Sequence, residues 1–127
     1  MISILLILLA AICSASMDVL RFRYNISIFR LWKNQNWVNP ELSWPNKWKP
    51  DSKLGDFIMS TILVWVTDFW HFCKFLMLTF MIGSVIFYHP AIVNLWADVI
   101  IFYGTFTITF EIFYSKILIR KKKNEMV

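Results

Sequence analysis

Residues 57–88, from Phe57 to Tyr88, read FIMSTILVWVTDFWHFCKFLMLTFMIGSVIFY, and their reading decides the fold. The run is apolar on every side of a helix, which a water-soluble domain of this size seldom accommodates. As a helix it is long enough to cross a hydrocarbon layer of about 30 Å, even with Asp68, His71 and Lys74 near its middle. It predicts a membrane-spanning helix with a polar centre.

Two further apolar blocks lie on either side of this run. Together they predict an all-α, small polytopic integral membrane protein with three transmembrane helices, at approximately residues 2–20, 57–88 and 91–115. Residues 21–56 are expected as an interfacial helix and a Trp-rich loop, and residues 116–127 as a basic cytoplasmic tail. The chain of 127 residues is 58% hydrophobic. That exceeds the roughly 45–50% of soluble domains, and the length leaves room for a single unit. The formal net charge of +5 comes from bases that bracket the apolar blocks instead of sharing one face. Such placement sets membrane topology, so anionic lipids are expected as partners and nucleic acid is not.

The order of the charges gives an orientation. Arg21, Arg23, Arg30, Lys33, Lys47, Lys49 and Lys53 fall between the first two spans, and no Lys or Arg occurs between Lys74 and Lys116. Lys116, Arg120, Lys121, Lys122 and Lys123 follow the last span as lipid-binding bases. The positive-inside rule then puts the amino end outside and the carboxyl end inside a cytoplasmic membrane. The first block, ISILLILLAAICSAS, has no base before it, which favours a retained span. Cys13-Ser14-Ala15 would also serve as a cleavage site, so a signal peptide is the alternative. Cys13 and Cys73 both sit in apolar blocks, and no disulfide framework is expected.

Between the first two spans the periodicity is mixed. From Arg21 to Ile28 polar and apolar residues alternate as in a strand, whereas Met17, Leu20, Tyr24, Ile28 and Leu31 recur at helical spacing. A helix satisfies its own backbone at a bilayer surface, so a helix continuing from the first span is the expectation. Beyond it, Trp32, Trp37, Trp44 and Trp48 stand among Lys47, Lys49, Lys53 and the breakers Pro40, Pro45 and Pro50. Tryptophan beside lysine next to a span is the composition of an interfacial anchor; a platform for a partner is the second reading.

The chemistry-bearing residues are few. Asp68, His71 and Lys74 recur every third position and form an oblique stripe on one helix. A charge at bilayer depth needs a partner or a wet cavity. In the third span Asp98 lies near the outer end and Glu111 near the inner end, about 20 Å apart along a helix. Matching depths pairs Glu111 with the stripe, giving an ion or proton relay or a buried polar network of Asp68, His71, Lys74 and Glu111, with Tyr103 and Thr107 as neighbours. The same matching pairs Asp98 with His89 as a secondary polar pair at the outer turn. Asp68, His71 and Glu111 are also the ligands that a divalent metal would find, although Lys74 would repel it.

No nucleophile–base arrangement, phosphate loop or Cys-x-x-Cys pair occurs, so no catalytic residue is assigned and a non-enzyme is favoured. No cofactor is expected beyond bound lipid. Gly83-Ser84, Ala97 and Gly104-Thr105 offer small residues where helices could approach. The leading expectation is a small non-catalytic subunit that packs with itself or with other membrane proteins in a larger complex. The alternatives are a proton or cation pathway through an oligomeric bundle, and a membrane-embedded metal-dependent enzyme. In layout alone, and on no motif, the chain resembles the three-span holins.

Overall fold

The first apolar block folds into a single helix, α1 (Ile2–Phe22), because it is rich in Leu, Ile and Ala and holds neither Gly nor Pro. It ends at Arg23, whose amide turns back to the Val19 carbonyl at 2.9 Å. In the computed structural model, which describes residues 1–43, 53–90 and 94–120, α1 is the central element. Its buried positions are Ser3, Ile7, Ala10, Ala11, Ala15, Ser16, Val19 and Leu20, nearly all small at the middle of the helix. Small side chains let two neighbouring backbones approach it at once.

Those neighbours are α6 (Phe69–Ile86) and α7 (Leu95–Ile112), which both pack on α1 and share no substantial contact with each other. Helix α6 runs antiparallel to α1: Ser3 Oγ donates to the Phe87 carbonyl at 2.7 Å at one end, and Phe69 and Trp70 pack near Val19 and Leu20 at the other. Helix α7 runs parallel to α1 and continues through a π-helical turn, Phe113–Ile117, to Leu118, which is buried with Ala15, Val19 and Leu20. The three helices Ile2–Phe22, Phe69–Ile86 and Leu95–Ile117 are each long and apolar enough to cross a membrane. The 18 residues of α6 rise about 27 Å, close to the thickness of a hydrocarbon core.

The expected second span, 57–88, is divided. Helix α4 (Lys53–Thr61) stops at Ile62 and Leu63, whose amides both turn to the Ile58 carbonyl at 2.9 Å. A short α5 (Val64–Thr67) follows, and Asp68 is fully extended at φ −157°, ψ 164° before α6 begins. Asp68 breaks the helix because it caps the next one: its Oδ1 accepts the His71 amide at 3.0 Å. Thr67 Oγ1 donates to the Val64 carbonyl at 2.7 Å and closes α5 on itself. Asp56 falls in the first turn of α4, where a negative charge suits the positive end of the helix.

The expected helix over residues 21–33 is also corrected. After Phe22 the chain forms 3-10 turns at Tyr24–Ile26 and Ile28–Leu31, then two single turns, α2 (Gln35–Val38) and α3 (Pro40–Ser43). Between the 3-10 turns Ser27 makes an antiparallel bridge to Ile119. The Ile28 amide donates to the Leu118 carbonyl at 3.0 Å, and the Arg120 amide to the Ile26 carbonyl at 2.8 Å. Of the alternating stretch from Arg21 to Ile28, Ser27 alone takes part in the bridge, and this pairing gives the backbone partners that a lone interfacial strand would lack. The third span starts later than residue 91: Asn94 caps α7, its Oδ1 accepting the Trp96 amide at 3.0 Å.

Candidate functional site

Asp68 and His71 meet as the spacing suggested, but at the beginning of a helix long enough to span a membrane instead of its middle. The Asp68 carboxylate is fully buried, and besides the His71 amide it bonds His71 Nδ1 through Oδ2 at 2.8 Å. One side chain thus terminates the helix and orients the imidazole. His71 is partly exposed, and the edge of the Trp70 ring meets it at 4.9 Å. Lys74 is exposed, with Nζ 5.5 Å from the Trp70 ring centroid, where a cation is attracted to the π face.

His71 and Lys74 line an open cleft of about 390 Å³ between the α4–α5 arm and α6. Thr61, Ile62, Val64 and Trp65 form one wall; His71, Lys74, Phe75 and Leu78 form the other. The second wall follows one face of α6, at i, i+3, i+4 and i+7, and changes from polar to apolar along it.

Glu111 does not join this cluster. It lies on α7, which α1 separates from α6, and its carboxylate is exposed and accepts the Ser115 hydroxyl one turn on. Depth alone paired it with His71; the lateral order of the helices, with α1 in the centre, keeps them apart. Among the described residues no three His, Cys, Asp or Glu side chains gather as metal ligands, and the set Asp68, His71 and Glu111 is broken by that separation.

Glu111 instead completes a column with Tyr103 and Thr107. The three recur at i, i+4 and i+8, spreading over about 80° of helix surface, and all are exposed on the side of α7 away from α1. Gly104 opens beside them: a Cβ built there would meet nothing within 4 Å. Gly83 differs, since its Cβ would lie 3.3 Å from Leu6 Cδ1, so α6 uses this glycine to approach α1.

At the opposite end of the bundle, Asp98 accepts the Tyr88 hydroxyl at 2.7 Å. The expected partner His89, one residue on, is exposed. The buried carboxylate therefore ties the segment after α6 to the first turn of α7 through a phenol. That hydrogen bond holds the Tyr88 hydroxyl above its ordinary pKa of 10.0, because the neighbouring carboxylate favours the protonated phenol.

Of the Trp residues taken as interfacial anchors, Trp32 and Trp37 enter an aromatic cluster with Phe29, Phe69 and Phe72, with ring centroids 5.1–5.7 Å apart. Trp37 also donates its indole N–H to the Val66 carbonyl at 3.2 Å, steadying the α5 turn. This cluster, which the sequence reading missed, fixes the end of α6 from which the cleft opens. Trp44, Trp48, Lys47, Lys49, Lys121, Lys122 and Lys123 lie outside the described residues; Lys116 and Arg120 are exposed at the end of the α7 segment. Comparison with protein-family models, curated proteins and solved structures finds no match.

Proposed function

We propose that the chain is a non-catalytic integral membrane subunit that assembles with further copies of itself through the outward face of α7. The supporting observation is the column Tyr103, Thr107 and Glu111, which is exposed among the described residues with Gly104 open beside it. A charged side chain costs about 2.5–3.5 kcal/mol at the centre of a spanning helix and less toward the end, where Glu111 lies; among the described residues the carboxylate bonds only Ser115. Tyr and Thr hydroxyls donate and the carboxylate accepts, so a parallel copy offers a donor, Thr107, one turn from the level of Glu111. The open space at Gly104 admits the neighbouring backbone.

The packing of α1 also favours its retention as a span, since α6 and α7 both pack chiefly on it. The bridge between Ser27 and Ile119 brings Arg21, Arg23 and Arg30 to the same end of the bundle as Lys116 and Arg120. Under the positive-inside rule that end is cytoplasmic, with the amino terminus outside.

The test is the copy number of the full chain in lipid nanodiscs. The wild type is expected as a dimer or higher assembly, and Glu111→Ala to weaken association about tenfold, the equivalent of one interhelical hydrogen bond in a membrane. A wild-type chain that stays monomeric at high protein-to-lipid ratio overturns the proposal. A second reading follows from the same column: repeated around an oligomer axis, it would line a proton or cation pathway. That reading expects vesicle flux lost in Glu111→Gln with assembly intact; wild-type flux equal to empty vesicles contradicts it.

A further inference from the structure

We infer that the cleft between the α4–α5 arm and α6 is a binding site for one anionic phospholipid, with Lys74 holding the headgroup phosphate and the acyl chain lying along Phe75 and Leu78. The inference rests on the membrane reading, but it is independent of assembly through α7. Among the described residues Lys74 is the only formally charged one of the cleft lining, and the nearby Asp68 carboxylate is buried and bonds His71. The site is therefore cationic where it is polar.

Its polar groups occupy the first two turns of α6, at the end of the span where headgroups would lie, and its apolar groups follow toward the middle. Such a gradient matches an amphiphile standing parallel to the helix; free phosphate would find nothing to bury against Phe75 and Leu78. The opposite wall supports the same occupant. Helix α4 leaves Leu54 and Phe57 exposed beside Lys53 and Asp56, an amphipathic arrangement that seats a helix in the interface rather than across it. Ile62 and Trp65 then close the cleft over the chain region of the lipid. The volume, about 390 Å³, fits a headgroup and part of one chain, not a whole lipid. The remainder would extend into the bilayer.

Native mass spectrometry of the full-length protein, released from mixed phosphatidylglycerol and phosphatidylcholine, tests this. Resistance of the membrane-bound protein to alkaline carbonate is checked first, so that failed insertion is told apart from failed lipid binding. The expected result is one tightly retained phosphatidylglycerol per chain, with retention falling about tenfold in Lys74→Gln and unchanged in Thr79→Ala, at an exposed position of the same helix outside the cleft. Leu78→Trp, at an exposed position that fills the apolar end of the cleft, is expected to displace the same lipid without altering the fold. Equal retention of both lipids, wild-type retention in Lys74→Gln or Leu78→Trp, or displacement of the lipid by inorganic phosphate overturns the inference.

Discussion

Helices α1 and α7 are both apolar, both long enough to span and parallel to each other, yet the chain treats them in opposite ways. A third of the apolar window of α1 is buried within the chain (33%), against 6% for the segment Leu95–Ile117. Both are apolar, α1 the more so, but side-chain size and the placement of polar groups also differ. Helix α1 puts Ala10, Ala11 and Ala15 against its neighbours, so two helices close on it. Helix α7 carries bulky Ile, Phe and Trp on most sides and a polar column on the side away from α1. The small residues of α1 therefore mark contacts made within the chain, whereas the polar column of α7 lies on a face that the other described helices leave uncovered.

The largest effect should come from overfilling α1. Ala11→Phe inserts a ring where two helices meet and is expected to cost about 3 kcal/mol or more of fold stability, read by denaturant titration in micelles. Gly104→Phe enlarges a position with free space around it and should leave that titration unchanged while lowering the copy number in nanodiscs. Equal destabilisation by both would break the contrast between the helices.

A smaller loss is expected at the end where α6 begins. Asp68→Ala removes the cap and the hydrogen bond to His71 and should cost about 2 kcal/mol in the same titration. Asp68→Asn keeps a good capping oxygen and should recover most of it. A wild-type titration for Asp68→Ala would show that the break before Phe69 does not depend on this side chain.

The three apolar segments were legible in the sequence because hydropathy is a sum over a window and needs no partner. The break inside residues 57–88 was not, because Ile62, Leu63, Val64 and Val66 keep the window apolar while the chain turns. Its signal was local: an aspartate with a polar residue three positions on, at Asp68 and His71, reads as a helix start. The same spacing had been read as a stripe on a continuous helix. Depth matching paired Glu111 with the stripe of Asp68, His71 and Lys74, but depth carries no lateral information, and only the small residues of α1 could have shown which helix lies between. The alternation from Arg21 to Ile28 does not make a strand: Arg21 and Phe22 end α1, Tyr24–Ile26 is a 3-10 turn, and within the stretch Ser27 alone bridges, to Ile119, a partner too far along the chain to be found by local pattern.

The smallest effect compares two glycines. Gly83→Ala meets Leu6 Cδ1 at 3.3 Å and should change stability by less than about 1 kcal/mol, since the leucine tip can move. Gly104→Ala meets nothing in the chain and should stabilise the isolated subunit by about 1 kcal/mol through helix propensity. Opposite signs would sharpen the contrast between a glycine used for packing and one left open.

The most direct measurement is site-specific photocross-linking in intact membranes, with a photoreactive amino acid at Thr107 on the polar column and, as reference, at Val85 on α6, which is 75% exposed. Protein adducts at multiples of the chain's own mass are expected from Thr107, with lipid adducts alone from Val85. Lipid adducts alone from both positions would contradict a protein-covered face on α7.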